Sequence, residues 1–125
     1  MLLQSRASVP YHKLLGDVIV KVKKQGYSDI RADLEDYEAP HQIIGKTNDV
    51  NFTPDITAMK DEGKAYFEIA QKIENTRELV NKWKLLETLA HMKKGVFQIY
   101  VPHGQMKFTQ ELILEHNIRA ILIKI

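Results

Sequence analysis

The sequence predicts an α/β domain, a mixed central sheet of about five strands flanked by helices, in the order helix, three strands, helix, strand, helix, strand. Three observations carry this. Some segments repeat apolar residues at three- and four-residue steps, others are short alternating or wholly apolar runs, and Gly, Pro, Asn and Asp mark the joins. With 125 residues, 44% hydrophobic and 27% charged, the chain suits a single core, so residues 1–125 are expected to form one domain.

Residues 1–9 read either as a disordered lead-in or as an edge strand. Over residues 11–25 the apolar positions Leu14, Leu15, Val18, Ile19 and Val22 share one helix face, and Gly26 is a stop. The other face is basic. Residues 27–34 alternate as a strand does, and residues 35–51 form an acidic loop punctuated by Pro and Gly. Residues 52–60 and 64–72 read as two strands joined by the turn Asp61-Glu62-Gly63, a hairpin. Asn75-Thr76 can cap a long helix over residues 77–94 that Gly95 ends. Residues 96–102 are an apolar strand, residues 106–117 a shorter amphipathic helix, and residues 119–125 (RAILIKI) a strand with almost no polar face. A run like the last is expected to be covered on both sides.

Composition excludes several chemistries. Without cysteine there is no disulfide framework, thiolate zinc site or cysteine nucleophile. None of the five histidines forms an HxxxH or HExxH spacing, so a zinc site is not expected. The start of the chain lacks a signal-peptide core, and no run approaches the ~18 apolar residues of a membrane span. A soluble, cytoplasmic protein without membrane contact is the expectation. The net charge of +2 conceals segregation: residues 1–28 hold five Lys/Arg against one Asp, whereas residues 29–55 hold two against seven Asp/Glu. Residues 71–94 are basic again, with six against three. Two basic helices flanking an acidic stretch suggest a phosphate-binding rim around a carboxylate site.

The stretch that carries chemistry is Pro54-Asp55, followed after a dozen residues by Phe67-Glu68-Ile69-Ala70. Antiparallel neighbouring strands can bring such an Asp and Glu together. Two carboxylates suit Mg²⁺ or Mn²⁺, hard cations that leave positions open for water and a phosphate oxygen. Here the sequence resembles the PD-(D/E)xK nuclease superfamily, the restriction-endonuclease-like fold that includes Holliday junction resolvase-type and RecB-type nucleases, over about residues 10–125. The resemblance implies that Asp55 and Glu68 are metal ligands of a phosphodiesterase acting on nucleic acid, expected to be DNA.

The family's lysine lies two residues after the Glu, and that position here is Ala70. On a helix advancing about 100° per residue, Lys82 falls inside the sheet-facing arc of Leu79, Trp83, Leu86 and Leu89, whereas Lys84 points away. Lys82 is therefore a candidate for a relocated lysine, against the alternatives of an i,i+4 pair with Glu78 or a stem that snorkels to the rim. Lys72 is the competing donor, on the same strand face as Glu68 but one pleat beyond position 70. Asp17 is a candidate third carboxylate with an exposed helix position as its alternative. Glu35, Asp36 and Glu38 are expected on the loop surface, with Asp33 or Glu35 near the site if the first strand ends there. His103 reads as a turn residue within reach of a phosphate, Trp83 as core, and Tyr11 and Tyr37 as exposed positions.

Two functions follow. One is a Mg²⁺- or Mn²⁺-dependent endonuclease or resolvase-like enzyme. In it Asp55, Glu68 and Lys82 or Lys72 do the chemistry, and Lys13, Lys21, Lys24, Lys93 and Lys94 contact backbone phosphates. A domain of this size offers a short footprint, which favours a homodimer. The other is a catalytically inactive relative serving as a nucleic-acid-binding or assembly module, the reading that Ala70 favours.

Overall fold

Helix α1 (Val9–Lys24) opens the described part of the computed structural model, which comprises residues 9–44, 51–71 and 75–125. Its predicted stripe is the buried one: Leu15, Val18, Ile19 and Val22 are all in the core. Gly26 follows with φ +94°, the left-handed turn that stops the helix. Strands β1 (Ser28–Ala32), β4 (Ile56–Lys60), β5 (Gly63–Ile69), β6 (Phe97–Val101) and β7 (Ile121–Lys124) form one sheet in that spatial order. The first three pair antiparallel and the last two join in parallel. Helices α2 (Thr76–Met92) and α3 (Met106–Glu115) make the two crossovers that parallel pairing needs.

The sheet is covered on both faces. Ala65, Phe67 and Ile69 of β5 pack with α1, while Tyr66 and Ala70 pack with Leu79, Val80, Trp83 and Leu86 of α2. This alternation is the two-residue period of a strand, and it places Glu68 on the α2 side. The hairpin of β4 and β5 is in register from Ile56 opposite Phe67 to Lys60 opposite Gly63.

Several expectations need adjusting. The segment read as loop contains a two-stranded ribbon, β2 (Ile43–Ile44) with β3 (Asn51–Phe52), so Phe52 belongs there and the hairpin strand begins only at Ile56. Pro54 and Asp55 consequently precede β4. Residues 119–125 do not form a strand enclosed on both sides: β7 is the sheet's edge, with Ile121 49% exposed. An apolar run reports which side chains seek cover, and strand order decides whether cover is there. Residues 1–8 lie outside the described residues. No described helix is long and apolar enough to cross a membrane.

Asn75 caps α2 as predicted, its side-chain oxygen accepting from the Glu78 amide at 3.1 Å. At the other end, the β5 backbone runs so close to residue 95 that a methyl group there would lie 1.8 Å from the Lys64 carbonyl oxygen. Gly95→Ala is therefore expected to destabilise the protein by more than about 2 kcal/mol through backbone displacement, read from the midpoint of urea unfolding.

Candidate active site

Asp55 and Glu68 are buried to 3% and 1% exposure, and they are joined through the backbone. The Asp55 amide donates to Glu68 Oε2 at 2.9 Å, and the Ile69 amide donates to Asp55 Oδ2 at 2.8 Å. Each carboxylate thus takes an amide at the end of the neighbouring strand, fixing the start of β4 against the end of β5. Side chains complete the arrangement. Tyr11 on α1 donates its hydroxyl to Asp55 Oδ1 at 2.6 Å, and Trp83 on α2 donates its indole N–H to Glu68 Oε1 at 3.1 Å.

Lys82 brings the positive charge. Its Nζ lies 3.1 Å from Glu68 Oε2, with the lysine side chain 12% exposed. The sheet-facing arc of α2 accounts for this position: Lys82 precedes the buried Trp83 and is directed at the same carboxylate. Of the readings open to Lys82, the ion pair is therefore with Glu68 of the sheet rather than with Glu78 of its own helix. Ala70 is fully buried among the residues packed against α2. The lysine stem thus approaches Glu68 from the helix, while the strand position is occupied by a methyl group.

The other candidates are distributed differently. Asp17 is exposed and lies 4.0 Å from Lys13, one turn earlier on α1. Asp33, Glu35 and Asp36 are exposed, and Glu38 pairs with Arg31 at 3.0 Å. His103 is exposed, Tyr37 is half-buried, and Lys72 lies outside the described residues. The basic helix ends do not ring the carboxylates. The α1 terminus meets the hairpin end of the sheet, where Lys60 Nζ donates to the Gln25 carbonyl at 2.8 Å. The Lys93 carbonyl accepts from the Lys64 amide at 3.1 Å, so Lys93 and Lys94 also lie at that end. Lys21 and Lys24, in the last turn of α1, belong there too. Only Lys13 starts from the carboxylate end, one turn or less from Tyr11.

Tyr11 and Trp83 are the residues that sequence reasoning undervalued. Tyr11 is buried rather than exposed, and Trp83, although core as expected, also spends its one donor on Glu68. The signal for Trp83 was present, because a buried indole N–H requires an acceptor and Glu68 is the acid on the facing strand. For Tyr11 no local pattern foretold a partner 44 residues away.

Two adjacent carboxylates form a donor set of the kind Mg²⁺ accepts, which usually takes one or two carboxylates and completes its shell with water and phosphate oxygens. Among the described residues no group of three His, Cys, Asp or Glu gathers to hold a metal alone. A cation here would have to share Asp55 and Glu68 oxygens that already accept from Tyr11, the Ile69 and Asp55 amides, Trp83 and Lys82. No family model, curated protein or solved structure matches the chain.

Because Glu68 is deeply buried, removing its ammonium partner leaves a charge in a dry site. Lys82→Met is expected to cost about 3 kcal/mol, and less in a Glu68→Gln background, where the neutral amide needs no counter-charge and its oxygen still accepts from a neighbouring donor. A thermodynamic cycle from urea unfolding of both single variants and the double variant checks this. Equal, additive losses would mean that the pair is not coupled.

Proposed function

We propose that the protein is a Mg²⁺- or Mn²⁺-dependent phosphodiesterase acting on nucleic acid, most simply a DNA endonuclease or resolvase-like enzyme. The observation that carries this reading is Lys82, whose amine is 3.1 Å from one member of a buried carboxylate pair while the strand position two residues after Glu68 is alanine. Carboxylates and a lysine from separate elements, brought to one point despite the cost of burying charge, suggest a purpose beyond stability.

In this reading Asp55 and Glu68 hold the cation. When bound, such a cation lowers the pKa of a coordinated water and neutralises charge on the phosphoryl oxygens. The chain's own residues do the rest. Tyr11 and the Ile69 amide fix the Asp55 carboxylate, and Trp83 with the Asp55 amide fixes Glu68, so neither must reorganise as charge develops. Lys82 supplies a positive charge beside the phosphoryl group. Hydrolysis joins the water oxygen to phosphorus as one ester P–O bond breaks, with protons passing to the departing alkoxide and to solvent. In this reading Lys82 offsets the negative charge that accumulates on the phosphoryl oxygens meanwhile.

A second reading keeps the fold and omits the chemistry: an inactive nucleic-acid-binding or assembly module. The buried Ala70 favours it, since the position two residues after Glu68 offers no cation. The two readings differ in what the protein does to a strand once bound.

Asp55→Ala and Glu68→Ala should abolish cleavage of branched, duplex or single-stranded DNA in the presence of Mn²⁺. Lys82→Ala should reduce it by about 10²- to 10³-fold, the usual effect of removing one preorganised charge stabiliser. Adding Ala70→Lys to Lys82→Ala should restore part of that loss. Wild-type protein that binds DNA yet leaves every strand intact selects the inactive module.

Trp83, the chain's single tryptophan, reports on the metal directly. Mn²⁺ held by Glu68 would sit beside the indole, so fluorescence should be quenched saturably in wild type and not in Asp55→Ala. An unchanged emission across a Mn²⁺ titration would remove the metal from the proposal.

A further inference from the structure

Along the α2 face of β5, Glu68 lies at one end, Tyr66 in the middle and Lys64 at the other. Four residue steps of strand, about 13 Å, separate Lys64 from Glu68, and α2 covers the face between them. At the Lys64 end there is a groove of about 510 Å³ lined by Met59, Glu62, Lys64, Met92, Lys93 and Lys94. Met59 and Lys64 also line a smaller neighbouring hollow with Asp29, Arg31, His41 and Thr57. Lys64 lines both, its amine 5.6 Å from the centre of the Tyr66 ring.

This lysine is unusual in its surroundings. It is half-buried on a strand, and among the described residues neither it nor Lys93 nor Lys94 has a carboxylate within 4.0 Å. Burial, then the charges of Lys93 and Arg31, hold its amine below the usual lysine range, with Asp29 opposing them. Complementing the C-terminal dipole of α2 accounts for Lys93 and Lys94, but it does not account for Lys64, which lies on β5. Glu62 at the groove's edge offsets part of the charge and leaves an excess of cations.

We propose that Lys64, Lys93 and Lys94 form a second phosphate-binding surface that grips the backbone of a nucleic acid at the hairpin end of the sheet, the end opposite the Asp55–Glu68 pair. The inference rests on the phosphodiesterase reading for its ligand class, and it adds a contact that the carboxylate site does not supply.

The test uses a labelled DNA duplex of about 20 base pairs, titrated over a range of KCl concentrations with a chelator present so that no strand is cut. Wild type is compared with the Lys64→Gln/Lys93→Gln double variant and its Lys64→Arg/Lys93→Arg counterpart. The Gln pair should lower affinity about tenfold or more and reduce the slope of log K against log salt by about 2, with the Arg pair retaining both. Melting temperature and Trp83 emission confirm folding; should the Gln pair fail to fold, Lys93→Gln alone should reduce the slope by about 1.

An unchanged slope in a folded variant overturns the surface. Wild type that does not bind the duplex overturns both the surface and the nucleic-acid reading. If wild type binds with the expected dependence on Lys64 and Lys93 but never cuts DNA when Mn²⁺ is supplied, the phosphodiesterase falls and the surface stands.

Discussion

Burial of the Glu68 carboxylate is the constraint around which this fold is arranged. An isolated carboxylate in a dry interior is strongly disfavoured, so it persists only where donors surround it. Here they come from three places: the backbone just before β4, the indole of Trp83 and the ammonium of Lys82. Meeting that requirement pins α2 to the sheet at one azimuth. Any rotation of the helix that withdrew Lys82 would also withdraw Trp83, because the two are consecutive and serve the same acid. Asp55 extends the network to the opposite layer, since its oxygens take the Ile69 amide on β5 and the Tyr11 hydroxyl on α1. Both helical layers are thereby referred to one point at the end of the β4–β5 hairpin.

The hairpin can serve as that reference because it is the best-defined part of the sheet. Strand β5 is central and buried almost throughout, and its parallel partner β6 is buried at every position. Such strands have little freedom to slip, because a shift of one residue would exchange every core side chain for its opposite face. Register therefore positions the acids. Ile56 opposite Phe67 places residue 55 beside residue 68, and no additional loop is needed to present either carboxylate.

Much of this could be read from the chain, for identifiable reasons. Periodicity is a local property, and it located α1, α2 and α3 and the sheet-facing arc that contains Lys82. Its limits appear wherever the answer depends on what lies across the fold. The apolar run of residues 119–125 looked enclosed because its side chains are apolar, yet strand order leaves Ile121 half in solvent. Tyr11 looked exposed because it begins a helix, yet the antiparallel hairpin brings Asp55 under it. The acidic segment looked like plain loop because the ribbon of Ile43–Ile44 with Asn51–Phe52 is too short to have a period. The carboxylates themselves were visible as a spacing and the indole N–H as a buried donor in need of an acceptor, but the phenol that holds Asp55 was not.

Charge shows the same division between what is local and what is spatial. A count by segment separates basic helices from an acidic middle and suggests a ring of lysines around the acids. The fold instead draws out the two along the strand direction. Helices α1 and α2 both run from the carboxylate end toward the hairpin turn, so their basic last residues gather at the far end of the sheet. Part of that placement is generic, since lysine complements a helix C-terminus wherever it lies. Lys64 separates the generic part from the specific one. It belongs to no helix, it sits on the same strand face as Glu68, and burial there costs a lysine some of its affinity for protons. A phosphate oxygen beside it would return that affinity by favouring the charged amine. Along β5 the charge thus runs from an acid paired with an ammonium to an ammonium that, among the described residues, has no carboxylate within 4.0 Å, a polarity that the total charge of +2 conceals.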